Sequence, residues 1–154
     1  MNVELKTASV SDAEELWRMQ VEGFASLLEK YQDFDMNPAC ETVEKTIMRL
    51  ERVCGTYYFI LVDGEKVGAI CIREFDDGWK KLGPLFVLPA WRGKGIAQRA
   101  IRLAEDIHGV DRWMLDTIAQ EPGNCHLYEK LGYRQTGTPR VVNERMTLVD
   151  YVKE

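Results

Sequence analysis

The sequence predicts an α/β (α+β) fold, a mixed and mostly antiparallel sheet of six to seven strands with helices on both faces. The chain has 154 residues, 45% apolar and 29% charged, a composition typical of a single globular domain over residues 1–154. Alternating and β-branched runs indicate strands, and amphipathic stretches between them indicate helices. The resulting order, β-α-α-β-β-β-α-β-α-β-β, allows one right-handed βαβ crossover, whereas the tight turns require antiparallel hairpins.

The N-terminal third is predicted to hold one strand and two helices. Apolar and polar residues alternate over residues 3–8, which indicates a strand. A capping box at residues 11–14 predicts that a helix begins there, with a break near Gly23. A second helix is expected after Asn37-Pro38, because apolar residues then recur at i, i+4, i+7 and i+11. These residues are Val43, Ile47, Leu50 and Cys54.

Three strands are expected in the middle of the chain. Residues 56–62 are β-branched and aromatic, and Asp63-Gly64 is typical of a hairpin turn into a partner strand at residues 66–75. The next strand covers residues 79–88. Gly83-Pro84 within it predicts a local disturbance of the hydrogen-bond ladder.

The C-terminal half is predicted to alternate helices with strands. A helix begins at Gly95 with one broad apolar face, and Gly109 fits its C-terminal end. A short helix is expected over residues 124–131. The remaining strands are expected at residues 112–118, 133–137 and 146–153.

The segment Arg92-Gly93-Lys94-Gly95-Ile96-Ala97 joins an apolar strand to an amphipathic helix. Glycines let the backbone approach an anion, and the free N–H groups of a helix's first turn point at it. Arg92 and Lys94 would add positive charge. A tight turn without a ligand is the alternative. A dinucleotide fingerprint is incomplete, because Gln98 stands where its third glycine would be, and the P-loop pattern is absent.

Two motifs resemble those of the GNAT superfamily of acyl-CoA-dependent N-acyltransferases, and the order of elements agrees over nearly the whole chain. Residues 85–97, LFVLPAWRGKGIA, match the family's apolar strand, proline and Arg/Gln-x-x-Gly-x-Gly/Ala loop. Residues 124–133, NCHLYEKLGY, look like its Tyr-Glu-Lys-x-Gly-Phe/Tyr signature. The resemblance implies an enzyme that moves the acetyl group of acetyl-CoA directly to a primary amine. A non-catalytic domain of the same fold that only binds or senses acyl-CoA is the alternative.

The resemblance also implies site residues. Main-chain groups of Phe86 and Val87 would pair with the pantetheine arm, and the loop, Arg92 to Ala97, would bind the pyrophosphate. Tyr128 would protonate the leaving sulfur; packing beside the arm is the alternative. Asn124 would contact the donor, although it stands four residues before the tyrosine, where many members have seven. As a helix N-cap it would have a purely structural role.

The general base and the acceptor cannot be read directly from these motifs. Five carboxylates are candidates for the base, although each could equally be a solvated or paired surface group: Asp116, Glu74, Asp76, Glu22 and Glu121. The acceptor pocket is expected from residues 22–35 and the turn at 76–78, where acidic residues would suit a cationic amine. Proposed walls are Phe24, Leu28, Tyr31, Phe34 and Trp79.

Composition excludes several other classes. A formal net charge of −5 argues against nucleic-acid binding. The charged N-terminus lacks a signal core, and no stretch is long enough for a membrane span, so a cytoplasmic location is expected. The four cysteines lack metal or redox spacing, and no metal is expected. The predicted partners are a small-molecule or peptide amine and a second copy of the chain, since homodimers are common in the family.

Overall fold

The computed structural model describes residues 1–154, and seven strands from both ends of the chain share one sheet. The strands are β1 (Val3–Thr7), β2 (Gly55–Val62), β3 (Glu65–Glu74), β4 (Lys80–Val87), β5 (Trp113–Ile118), β6 (Arg134–Val141) and β7 (Thr147–Lys153). Their order is β1-β2-β3-β4-β5-β7-β6, and only the β4–β5 pair is parallel. The predicted mixed, mostly antiparallel sheet is confirmed, with seven strands.

Helices cover both faces of this sheet, as the sequence predicts. They are α1 (Ala13–Tyr31), α2 (Val43–Glu51), α3 (Ile96–His108) and α4 (Pro122–Lys130). One core lies under α1 and α2, where Leu16 packs with Phe59 and Phe86. The larger core lies on the opposite face, where α3 and α4 contribute Ile101 and Tyr128. None of the four helices combines the length and the apolarity needed to cross a bilayer.

Helix α1 differs from its prediction in two places. The capping box lies two residues earlier than predicted, because the Ser9 N–H donates to the Asp12 carboxylate over 2.9 Å and a short 3₁₀ turn precedes the helix. The predicted break at Gly23 is wrong, since the helix continues through it. A Cβ at Gly23 would lie 2.6 Å from the Phe86 ring, so the glycine instead permits close packing of helix on sheet.

Three other boundaries also move. Helix α2 ends at Glu51, so Cys54, which is exposed, does not extend its apolar stripe. Helix α4 begins at Pro122, a residue that suits the first helical position, and this makes the alternative of Asn124 as the N-cap wrong. Strand β6 continues through Pro139, because it is an edge strand whose pairing is irregular there.

Candidate active site

The two central parallel strands, β4 and β5, separate almost as soon as they pair. They are in register only at Lys80–Trp113 and Lys81–Met114. Beyond Lys81, β4 remains paired to β3 alone, with a register shift in the segment that holds Gly83-Pro84. The predicted disturbance of the ladder is therefore confirmed, and it leaves a wedge between two strands in the middle of the sheet.

One edge of β4 faces this wedge. The Leu88 N–H donates to the Val67 carbonyl on β3 over 2.8 Å. Because main-chain groups alternate in direction along a strand, those of Phe86 also point to β3 and those of Val87 and Leu85 point into the wedge. The separation from β5 leaves the Val87 and Leu85 N–H groups without a strand partner. These two amides can therefore donate hydrogen bonds to a molecule in the wedge.

Phe86 takes no direct part in this edge, which corrects the sequence-based expectation. Its carbonyl oxygen faces Gly68 of β3, where an added Cβ would lie only 2.2 Å away. Its buried ring packs edge-on against Phe24 of α1, with the centroids 5.7 Å apart. Phe86 thus fixes α1 against β4, and Leu85 takes its place beside Val87 on the wedge.

The glycine loop carries an unusual run of free donors. The six consecutive N–H groups of residues 93–98 make no hydrogen bond within the protein, whereas a helix end alone leaves four. Gly93 and Gly95 both have φ of +76°, and no heavy atom would lie within 4 Å of a Cβ on either. The sign of φ therefore alternates from Gly93 through Lys94 to Gly95, and backbone of this kind forms a concave site for an anion. The positive end of the α3 dipole strengthens the attraction for an anion there.

Arg92 does not supply mobile charge to this loop, contrary to the sequence-based expectation. Its Nε donates to the Val87 carbonyl over 2.9 Å, and its guanidinium also donates to the Gly23 carbonyl and to the Ser26 hydroxyl. The side chain therefore ties the loop to α1 and to the end of β4. Lys94, exposed and without an ion pair, is the cation that remains free beside the amides.

A cavity of about 360 Å³ passes through the wedge from one face of the sheet to the other. On one side it reaches Asn124 and Tyr128 of α4. On the other it reaches Phe24 of α1 and the segment that follows this helix. Its middle is lined by the separated parts of β4 and β5, including Leu85 and Thr117. Two molecules entering from opposite faces would meet between the strands.

Asn124 and Tyr128 stand one helical turn apart on α4, and both line the cavity. Tyr128 is 8% exposed, and its hydroxyl makes no hydrogen bond within the protein yet is not fully enclosed. Burial, with a smaller effect of the Asp116 charge, raises the pKa of Tyr128 well above its usual value of 10. The phenol is therefore protonated at neutral pH and free to donate into the cavity.

Of the five candidate carboxylates, only Asp116 lines the cavity. Glu121 binds Lys30 and the Tyr31 hydroxyl instead; burial alone would raise its pKa, but these hydrogen bonds outweigh burial and lower it. Glu74 forms a hydrogen bond with His108, with 2.6 Å between Oε1 and Nδ1. Glu22 and Asp76 are exposed.

Of the proposed acceptor walls, Phe24 alone lines the cavity, and the turn at 76–78 lies away from it. The acceptor side holds charged residues that the motifs do not mark: Asp33, Glu41 and Arg49. Asp33 falls in the segment from which the pocket is expected. No local pattern connects Glu41 with Arg49, which form a two-point ion pair of 2.6 and 2.9 Å.

We expect Glu41→Gln to lower the free energy of unfolding near pH 7 by about 1–3 kcal/mol, because it leaves the Arg49 guanidinium half-buried without its charge partner. Burial by itself raises the pKa of Glu41, but hydrogen bonds from Arg49 and Gln20 outweigh burial and hold it below 4.5. The folded pKa lies below the unfolded value of about 4.5, so the wild-type advantage is fully present above about pH 4.5 and disappears as the pH falls through the folded pKa.

Urea denaturation across this pH range measures the difference. Glu51→Gln is the matched control, because Glu51 lies on α2, as Arg49 does, is exposed and makes no ion pair. Equal stability of Glu41→Gln and wild type near pH 7 would contradict the prediction.

Comparison with known proteins places this geometry in context. A family model described as the acetyltransferase (GNAT) family matches residues 14–133. An acetyltransferase from Thermus thermophilus is 18% identical, with a TM-score of 0.74, over 98% of this chain and 96% of that one. The PaiA N-acetyltransferase from Thermoplasma acidophilum, in complex with coenzyme A, is 16% identical, with a TM-score of 0.72, over 100% of both chains.

A third similar structure is AAC(6')-Ib in complex with ribostamycin and coenzyme A. It is 18% identical, with a TM-score of 0.74, over 99% of this chain and 93% of that one. At these identities the likeness shows a shared fold. No curated protein matches the chain by sequence.

Proposed function

The chain belongs to the GNAT family of acetyltransferases and is thus an N-acetyltransferase that uses acetyl-CoA; we propose that the acetyl group passes to a primary amine inside the cavity between β4 and β5. The observation that carries this assignment is the cavity itself, which joins the two faces of the sheet and has Tyr128 on one side. The donor enters from the α3 and α4 face, and the acceptor, a small molecule or a peptide amine, enters from the α1 face.

The donor is held mainly by main-chain groups. The pyrophosphate of acetyl-CoA lies against the free N–H groups of residues 93–98, including those of Ile96 and Ala97, with Lys94 beside it. The amide-rich pantetheine arm enters the wedge and pairs with the exposed edge of β4 at Val87 and Leu85, like an added strand. Asn124 contacts the arm from α4.

Catalysis then requires stabilisation of two charges. The neutral amine attacks the thioester carbonyl, and negative charge develops on its oxygen, which a wedge-facing N–H of β4 stabilises. When the carbon–sulfur bond breaks, the sulfur leaves with the electron pair and Tyr128 donates to it. The positively charged nitrogen of the tetrahedral adduct loses its proton to water or to a carboxylate of the cavity before the carbon–sulfur bond breaks. A phenol with a raised pKa is a weak acid, so its main contribution is a hydrogen bond to the developing thiolate; the proton that it then gives to the sulfur is replaced from water as product leaves.

A broad amine screen tests the proposal. Purified protein is incubated with acetyl-CoA and each amine, and release of free thiol is measured together with the mass of the acetylated product. Acetylation of at least one amine above the rate of acetyl-CoA hydrolysis supports the proposal. Binding of acetyl-CoA without turnover across small amines and peptides would instead support the non-catalytic, acyl-CoA-binding alternative.

Two loop variants separate donor binding from stability. Lys94→Ala should weaken coenzyme A binding about five- to tenfold, with an unchanged melting temperature of the free protein, because the Lys94 side chain is exposed and makes no ion pair. Arg92→Ala should lower that melting temperature by about 2–4 °C, because the loop loses its link to α1. Calorimetric titration and thermal denaturation measure the two effects. A Lys94→Ala protein with wild-type affinity would remove Lys94 from the site.

A further inference from the structure

Asp33 is a buried carboxylate in the cavity that has no cation of its own. It lies just after α1, is 6% exposed, and lines the acceptor side. Its Oδ1 accepts one hydrogen bond, from the Asn37 side chain at 3.1 Å. Its Oδ2 has no hydrogen-bond partner in the protein and is not fully enclosed.

The other carboxylates of the cavity are already compensated. Glu41 receives two hydrogen bonds from Arg49 and one from Gln20. Asp116 lies 3.4 Å from the Arg140 guanidinium. The remaining cation of the cavity, Lys81, is exposed and within salt-bridge distance of no carboxylate. A buried charge without a partner is costly, so the acceptor side is poised to take up a cation at Asp33.

This cation is not the amine that reacts. Tyr128, beside which the acetyl group is placed, lies on α4 at one face of the sheet, whereas Asp33 follows α1 at the other face. Asp33 is therefore on the side of the cavity formed by the end of α1, across the sheet from Tyr128. It is placed to hold a second cationic group of the acceptor while the first is acetylated.

We propose that Asp33 is a specificity-determining residue that binds a second ammonium group, and that the acceptor is a small diamine or polyamine. This inference rests on the proposed function, because it assumes that the acceptor occupies the α1 side of the cavity. The volume of about 360 Å³ suits a small molecule better than a folded protein chain. Binding orients the acceptor so that its neutral amine points at the thioester.

The experiment compares three acceptors with five carbon atoms each on the intact protein with acetyl-CoA: cadaverine, pentylamine and δ-aminovalerate. They end in an ammonium, a methyl and a carboxylate group, respectively. For the wild type, kcat/KM should fall in that order, with cadaverine at least about tenfold above pentylamine, mostly through KM. Diamines from diaminopropane to diaminooctane then locate the best spacing of the two amines.

Asp33→Asn should remove the preference for cadaverine by raising its KM about 10- to 100-fold, while kcat, its pH profile and coenzyme A binding stay near wild type. Asp35→Asn is the matched control, because Asp35 is exposed two residues away and does not line the cavity. If Asp33→Asn is poorly folded, the acceptor series on the wild type still decides the question.

The outcomes are distinguishable. Equal kcat/KM for cadaverine and pentylamine, or an Asp33→Asn protein that keeps the preference, overturns the role of Asp33 and leaves the acetyltransferase assignment intact. A fall in kcat with an altered pH profile also overturns it, since that result makes Asp33 a base. Failure to acetylate any amine in the broad screen would instead count against the proposed function.

Discussion

Replacing Tyr128 by phenylalanine is expected to lower kcat about 100-fold while coenzyme A still binds. The change removes one hydroxyl that has no hydrogen-bond partner in the protein, so the fold loses little when it is deleted. In the proposed mechanism, the reaction loses the hydroxyl that donates a hydrogen bond to the leaving sulfur. Steady-state kinetics on the best amine of the screen, with the thermal shift caused by coenzyme A as the measure of donor binding, give both quantities.

Tyr151→Phe is the matched control for this variant. Its ring lies 6.1 Å from that of Tyr128, and its hydroxyl donates to Glu129 over 2.7 Å, outside the cavity. This variant should keep the wild-type kcat. If Tyr128→Phe also keeps the wild-type kcat, the phenol only packs beside the donor, and the thiolate must obtain its proton from water.

Gly68→Ala is expected to have the largest effect on stability, a loss of about 3 kcal/mol or more. A Cβ at this position would lie 2.2 Å from the Phe86 carbonyl oxygen and 3.1 Å from the Val87 Cα. Both atoms belong to the backbone, so β3 and β4 must move apart. Thermal denaturation should show a melting temperature lower by roughly 6–12 °C. The displaced edge of β4 should also raise the KM for acetyl-CoA.

The control for this substitution is Gly123→Ala. No heavy atom would lie within 4 Å of its Cβ, and its backbone does not have a positive φ. Alanine suits a helix better than glycine, so stability should stay equal or rise by up to about 1 kcal/mol. Melting of Gly68→Ala at the wild-type temperature would mean that β3 and β4 are less closely apposed than their geometry indicates.

The sequence predicts best those parts of the candidate site that depend on local pattern. Glycine at positions 93 and 95 permits the positive φ found at both, and a helix is predicted to follow, so a run of free amides is expected from a few residues alone. Tyr128 is found from the resemblance of residues 124–133 to the family's Tyr-Glu-Lys-x-Gly-Phe/Tyr signature. The antiparallel hairpins and the one parallel crossover also follow from local signals, whereas the position of β7 between β5 and β6 does not.

What the sequence cannot predict depends on contacts between distant segments. The face to which Phe86 points is decided by the register with β3, and that register shifts where Gly83-Pro84 interrupts the strand. The Arg92 side chain finds its acceptors on α1, 66 and 69 residues away in the chain. Asp33 becomes notable only once its surroundings are known, because an aspartate after a helix is ordinary in a sequence.

The free amides of residues 93–98 have a consequence for how such a chain can diverge. In the proposed site the backbone makes most of the contacts with the donor, so most side chains around the loop other than Lys94 can change, provided that the two glycines remain. The opposite end of the cavity is built from side chains after α1, notably Asp33 and Glu41. Redesign of acceptor preference can therefore begin with residues 33–41, which lie apart from the glycine loop.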